Sequence, residues 1–390
     1  MSIRSQIEGL LAESVAAAGA RERTAFGAQL RGTDGGVVLF GAGRLGRLCA
    51  RALRRAGVPL RAFCDRNARL HGTTVEGAVV LSPEEAAARH GDGALFVVAI
   101  WTGAARESMA ERLAWLRGLG CRSVVPYSAL AWAHGTTEVP FHSFDRPSAV
   151  LAHAGEIREL AASLADEESQ ETLARDLERR LHGRFSPAAP APDQYFPPFI
   201  AWRTDEVLVD AGAFDGDTLA EFLRRSDGGF RAYLAIEPDA ASLEKLRGRV
   251  AGLPEPVRGK ISILPVALHD RDGELAFSGG GTVESAITPR GRSTVQTRRL
   301  DGLLAGHPVT ILKLDIEGAE PAALCGAAQL LATQQPLVAA CCYHLPDDLW
   351  VVPRMLRQHL PNHRVYMRCH GYDGWETVCY AVPAERVVRS

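Results

Sequence analysis

An apolar run that ends in a carboxylate and turns at once through glycines, VLVDAGAFDGDT from Val207 to Thr218, constrains this chain more than any other stretch. It reads as a strand, a tight turn and the start of a helix, the repeating step of a parallel α/β sheet. Such a turn normally brings phosphates to the positive end of a helix, where backbone N–H groups and the macrodipole favour negative charge. Asp215 and Asp217 would repel a pyrophosphate there. S-adenosylmethionine keeps the adenosine but carries a sulfonium and an amino acid, so an acidic turn suits it better than NAD or ATP.

Two later stretches follow in the order that a doubly wound sheet requires. In AYLAIEPD, residues Tyr233 to Ile236 form a buried second strand with Glu237 at its carboxyl end. An acid about 20 to 30 residues after the turn is placed to take both ribose hydroxyls. Pro238 then stops the strand. In ILKLDIEGAEPAAL the run from Val309 to Leu314 ends at Asp315, and Glu317-Gly318 leads into a helical pattern. Ligands of open α/β sheets bind beyond such carboxyl ends.

With PVALHDRDGELAF and Arg299-Leu300-Asp301 of VQTRRLD, these motifs resemble the FkbM family of S-adenosylmethionine-dependent methyltransferases, over residues 193–390. The resemblance implies a class I methyltransferase fold with a terminal antiparallel hairpin. By position, Asp210, Gly212 and Asp217 line the methionine part of the cofactor, with Ala213, Asp215 and Thr218 in the same turn. Glu237 and Pro238 flank the ribose, Ala267, Leu268 and His269 border the adenine, and Gln194-Tyr195-Phe196 covers the cofactor. The acceptor it implies is a hydroxyl on a sugar, glycan or natural product. After Pro336, where many members carry a Glu, this chain reads LVAACCYHLPDDLW, which leaves the catalytic base open.

At 390 residues the chain exceeds one ordinary core, so two domains are expected. The spans are 1–135, a helical and Pro-rich connector over 136–200, and 201–390. A formal net charge of -2 gives no general attraction to nucleic acid or an anionic membrane. No stretch combines a basic leader with an apolar run, and none reaches a membrane-spanning length, so the expectation is a soluble, cytoplasmic protein. The eight cysteines lack CxxC spacing and read as reduced core residues.

The N-terminal half repeats the α/β logic with opposite charge. After a helix expected over Ile3 to Ala20, the strand Gly36 to Phe40 runs into GAGRLGR, in which Gly41, Gly43 and Gly46 match GxGxxG. A second strand, Leu60 to Cys64, ends at Asp65, and strands from Leu95 to Ile100 and Arg122 to Val125 follow. Arg44 and Arg47 stand where the C-terminal turn has acids, so this turn suits a phosphate. FCDRN and VEGAVVLSPEE resemble the nucleotide- or sugar-nucleotide-binding Rossmann modules found beside sugar-modifying enzymes. The fold class is therefore α/β, with two Rossmann-like doubly wound domains. The rival reading is an NAD(P)- or nucleotide-sugar-binding oxidoreductase acting through Gly41, Gly43, Arg44, Gly46 and Asp65. The other is that the glycines serve packing alone.

Between the domains, Leu160, Leu164, Leu173, Leu177 and Leu181 form an apolar helical stripe, read as a packed connector ahead of a homo-oligomer interface. Methyl transfer needs chiefly alignment, but a hydroxyl acceptor must lose its proton. His344, after the strand Leu337 to Tyr343, is the first candidate for the base beside Asp315, and His370 the second. Asp315, Glu317, His344 and Asp347 can converge on a divalent ion such as Mg, although carboxylates there also cap the next helix. Gly279 to Ser285 reads as a mobile loop able to close over the cofactor.

Overall fold

The computed structural model describes residues 2–101, 107–134, 145–280, 286–287, 291 and 293–388, which form two compact units. Neither unit is one continuous stretch. The first comprises Met1–Ala162, Gln170–Pro190 and Gly371–Glu376; the second comprises Ser163–Ser169, Ala191–His370 and Thr377–Ser390.

In the first unit the expected opening helix is broken in two, Ile3–Leu10 and Val15–Leu30. The reason is local: the Ser14 side chain accepts the Ala17 N–H and starts a new helix. The strands are β1 (Val37–Phe40), β2 (Leu60–Cys64), β3 (Thr74–Val75), β4 (Ala78–Leu81), β5 (Leu95–Val98) and β6 (Ser123–Pro126). They lie in the order β3-β4-β2-β1-β5-β6, parallel except for the β3–β4 hairpin. Glu76 and Gly77, both at positive φ, make its two-residue turn. β1 and β5 are buried at every position, as parallel strands covered on both faces must be.

Helices Pro147–Ala152, Ala154–Ser163 and Glu167–His182 follow. All five stripe leucines are buried.

The second unit contains β7 (Val207–Ala211), β8 (Ala232–Ile236), β9 (Ile261–Leu264), β10 (Ala267–Leu268), β11 (Gly273–Ser278), β12 (Ala286–Ile287), β13 (Ser293–Arg298), β14 (Ile311–Leu314), β15 (Leu337–Cys341), β16 (Arg364–Cys369) and β17 (Thr377–Val382). Its main sheet runs β16-β17-β15-β14-β7-β8-β9, with β17 antiparallel to both neighbours and the other pairs parallel. The chain winds outward from β7 to β9 and returns to β14 on the other side of β7. β7 and β14 thus flank the switch point, where ligands of open sheets bind. A small sheet, β10-β13-β11-β12, occupies the excursion between β9 and β14. The terminal hairpin is β16–β17, as expected.

Candidate active site

The strands β7, β8 and β14 bring Asp210, Glu237 and Asp315 to one edge, but the three acids have different partners. Asp210 is wholly buried. Its Oδ1 lies 2.9 Å from Lys313 Nζ, and its Oδ2 accepts the Tyr233 hydroxyl. Burial raises the Asp210 pKa while Lys313 and Tyr233 oppose that rise. Lys313 also donates to the Gly212 carbonyl at 2.6 Å and stands 3.9 Å from Asp315. Burial disfavours its charge, yet Asp210 and Asp315 hold its pKa above the usual lysine value. Part of the negative charge legible in the sequence is therefore neutralised inside the sheet by a residue of the ILKLDIEGAE motif to which the sequence reading gave no role. The signal for it was a lysine inside an otherwise apolar strand, in direct register with Asp210.

The turn after β7 is set by glycine. Gly212 has φ +77°, and a Cβ there would lie 1.8 Å from the Asp315 carbonyl oxygen. Ala213 is buried behind it, and Gly216 opens the helix Asp217–Ser226 from the left-handed region. Asp215 lies 3.5 Å from Arg249; Asp217 is exposed and accepts the Thr218 N–H.

Glu237 is held by two backbone donors, Phe214 N–H to Oε2 at 2.9 Å and Asp239 N–H to Oε1 at 2.8 Å. Burial raises its pKa, and those donors oppose the shift. Pro238 carries the chain on to Asp239, which caps the next helix and accepts the Gly280 N–H at 2.8 Å. The rest of the expected closing loop, 281–285, lies outside the described residues. Ala267 and Leu268 are buried in β10, and His269 Nδ1 lies 2.5 Å from Asp270.

Asp315 receives the Tyr195 hydroxyl at 2.8 Å. Burial opposes its ionisation, but Lys313 and His344 hold its pKa well below the carboxylate range. His344 Nε2 lies 3.3 Å from Asp315 and Nδ1 lies 2.9 Å from Glu320 Oε1. Burial lowers the His344 pKa, yet Glu320 and Asp315 raise it well above the usual value. A charged His344 can accept a proton only after giving one up, which qualifies the role of base read from the sequence. His370 is fixed between the Ala191 carbonyl (3.0 Å) and the Tyr380 hydroxyl (2.7 Å).

Among the described residues, ligand atoms gather in two groups, Asp315–Glu317–His344 and Glu320–His344–Asp348. Asp347 is exposed and belongs to neither. Glu320 and Asp348, both buried, were missed; the signal for Glu320 was its place three residues after Glu317. Strained backbone also concentrates here, with Asp193, Tyr195, Phe214 and Glu317 all at positive φ. Such outliers cluster at functional sites.

The profile of the Methyltransferase FkbM domain matches residues 210–373. The FkbM match begins at Asp210 and takes in Glu237, Lys313, Asp315 and His344. In fold, the chain is similar to a crystal structure of Methyltransferase FkbM from Methylobacillus flagellatus KT, with a TM-score of 0.74 and 21% identity over 93% of each chain. Slighter matches include the methyltransferase domain of bacterial CtHen1 (TM-score 0.29, 15% identity, 45% of this chain and 89% of that one). Another is the glycopeptide N-methyltransferase MtfA complexed with S-adenosylmethionine (TM-score 0.18, 14% identity, 35% of this chain and 43% of that one). No protein of curated function matches in sequence. No helix among the described residues is long and apolar enough to cross a membrane.

Proposed function

We propose that the second unit transfers a methyl group from S-adenosylmethionine to a hydroxyl oxygen of a sugar, glycan or natural product. Glu237 carries the cofactor half of this reading. Each of its oxygens is fixed by one backbone N–H and keeps a further acceptor site, which suits two vicinal ribose hydroxyls at the end of the second strand. The fit extends to the neighbours: Gly212 keeps the turn open, and Asp315 with Glu317 supplies negative charge for an ammonium and a sulfonium. When bound, S-adenosylmethionine supplies the methyl group and departs as a neutral thioether.

The protein's own contribution is chiefly alignment. Lys313 holds the β7 turn through the Gly212 carbonyl and is buried against Asp210, so its role is to position the site. Tyr195 and His344 fix Asp315 from two sides. The acceptor proton passes to the Asp315 carboxylate, which Lys313 and His344 hold ionised. The hydroxyl acceptor class rests on the FkbM resemblance.

Calorimetry tests the cofactor site: Glu237→Ala should weaken S-adenosylmethionine binding by about tenfold or more, because buried hydroxyls lose a charged acceptor. Unchanged affinity would put the ribose elsewhere and overturn the reading. His344→Asn should keep that affinity and lose transfer of labelled methyl.

A second reading concerns the first unit, proposed as a Rossmann-like nucleotide-binding domain. Its three glycines do different jobs. At Gly41 a Cβ would crowd Ala99 and Ile100, and at Gly46 it would strike the Gly41 carbonyl at 1.8 Å, whereas at Gly43 it would meet nothing within 4 Å. An open glycine beside a helix start is what close backbone approach to a phosphate requires. Asp65, at the end of β2, accepts the Ala42 N–H at 2.8 Å. Titration with NADH, followed by cofactor fluorescence, tests this site separately from the methyl donor.

A further inference from the structure

Behind the Asp315 edge lies a buried set of side chains of which the methyl transfer proposed above uses only His344. Glu320 is completely buried, and its two oxygens accept the Ile316 N–H (2.8 Å) and the Gly318 N–H (2.9 Å). Asp348 is 1% exposed; its Oδ2 accepts the Leu345 N–H at 2.7 Å, while Oδ1 is buried without a hydrogen-bond partner. The ligand atoms of Glu320, His344 and Asp348 lie within 4.8 Å of one another.

The His344 geometry is informative. Nδ1 is 2.9 Å from Glu320 Oε1, yet neither ring nitrogen has a partner aligned for a hydrogen bond. The oxygen therefore sits beside the nitrogen's bonding axis and not along it. Two ligands each about 2.1 Å from one ion and roughly at right angles are separated by about 3.0 Å. The Nδ1–Oε1 separation matches that edge. Charge points the same way, because two carboxylates are removed from water here beside one imidazole, and buried charges are normally paired or metal-bound.

We propose that Glu320, His344 Nδ1 and Asp348 bind one divalent transition-metal ion. One imidazole with two carboxylates suits ions such as Mn²⁺ or Zn²⁺ better than Ca²⁺, which takes oxygen ligands. The backbone donors to Glu320 and Asp348 orient the ligating carboxylates. Asp315 stands 3.3 Å from Nε2, on the side where an outer carboxylate commonly lies beside a metal-bound histidine. The site differs from the one expected from sequence, which placed Asp347 in this role and omitted Glu320.

Metal binding to the chelator-stripped full chain, without methyl donor, tests this independently of the proposed activity. Calorimetry with Mn²⁺ should give about one site per chain, and Asp348→Asn should weaken it by about tenfold or more. Asp347→Asn should bind as wild type does. Pulsed electron paramagnetic resonance of Mn²⁺ on the wild-type chain should show coupling to one imidazole nitrogen, a readout that survives if Asp348→Asn misfolds. No stoichiometric uptake, equal affinity in folded Asp348→Asn, or bound Mn²⁺ without nitrogen coupling would overturn the proposal.

Discussion

Asp210 and Lys313 stand opposite each other on paired strands β7 and β14, Oδ1 to Nζ 2.9 Å, with both side chains almost fully withdrawn from solvent. Removing one partner strands the other's charge in the interior. Lys313→Met should therefore cost about 3 to 5 kcal/mol, whereas Asp210→Asn combined with Lys313→Met should recover much of the loss. Urea denaturation of the two single variants and the double variant gives the coupling. Additive losses would show that the pair is not energetically linked.

Gly212 lies between those strand ends. Alanine there meets both a left-handed φ and the Asp315 carbonyl, so Gly212→Ala should lose about 3 kcal/mol or more. A melting temperature equal to wild type would contradict the close approach of the turn to the end of β14.

The N-terminal glycines offer a paired comparison. Gly46→Ala should destabilise the first unit through its clash with the Gly41 carbonyl, while Gly43→Ala, at φ -74°, should fold normally. If the turn holds a phosphate, Gly43→Ala weakens NADH binding without a stability change. Thermal melts and the fluorescence titration together separate a packing glycine from a ligand glycine.

Acid sensitivity should trace in part to His370. Burial lowers its pKa from 6.5 to about 4, against a weaker raising influence from the Ala191 carbonyl. Arg368 also disfavours its charge, and the Tyr380 hydroxyl faces Nε2. The unfolded chain gains the proton first, so this contribution is complete above about pH 6.5 and is lost as pH falls towards 4, up to about 3 kcal/mol. Unfolding free energies at about pH 7.5 and 4.5 should differ less in His370→Gln than in wild type. An identical difference in the two proteins would assign the acid response to other groups.

The strands β7, β8, β14 and β15 were legible because each is a mainly apolar run, broken in β14 only by Lys313, and the acids at the ends of β7, β8 and β14 followed directly. Partnership was not legible. Lys313 meets Asp210 through sheet register between segments a hundred residues apart in sequence, which no local pattern encodes. The choice of Asp348 over Asp347 depends on helix phase in DDLW, where one residue of rotation exchanges solvent for interior. The small sheet was not assembled from the sequence because β10 and β12 are two residues long and β13 is largely polar. At the N-terminus, the apolar periodicity continued through the site where Ser14 begins a second helix.

The hexapeptide Gly371–Glu376, between β16 and β17, belongs to the first unit, and there the Asp373 carboxylate accepts the Met109 N–H at 2.8 Å. Gly374, at φ +84°, keeps the same tip clear of Asp176. A polypeptide cut anywhere ahead of β16 would deprive its amino-terminal piece of this plug, and the carboxy-terminal piece would carry it without its seat. Roles for the two halves are best separated by point substitutions in the intact protein, since excision damages both.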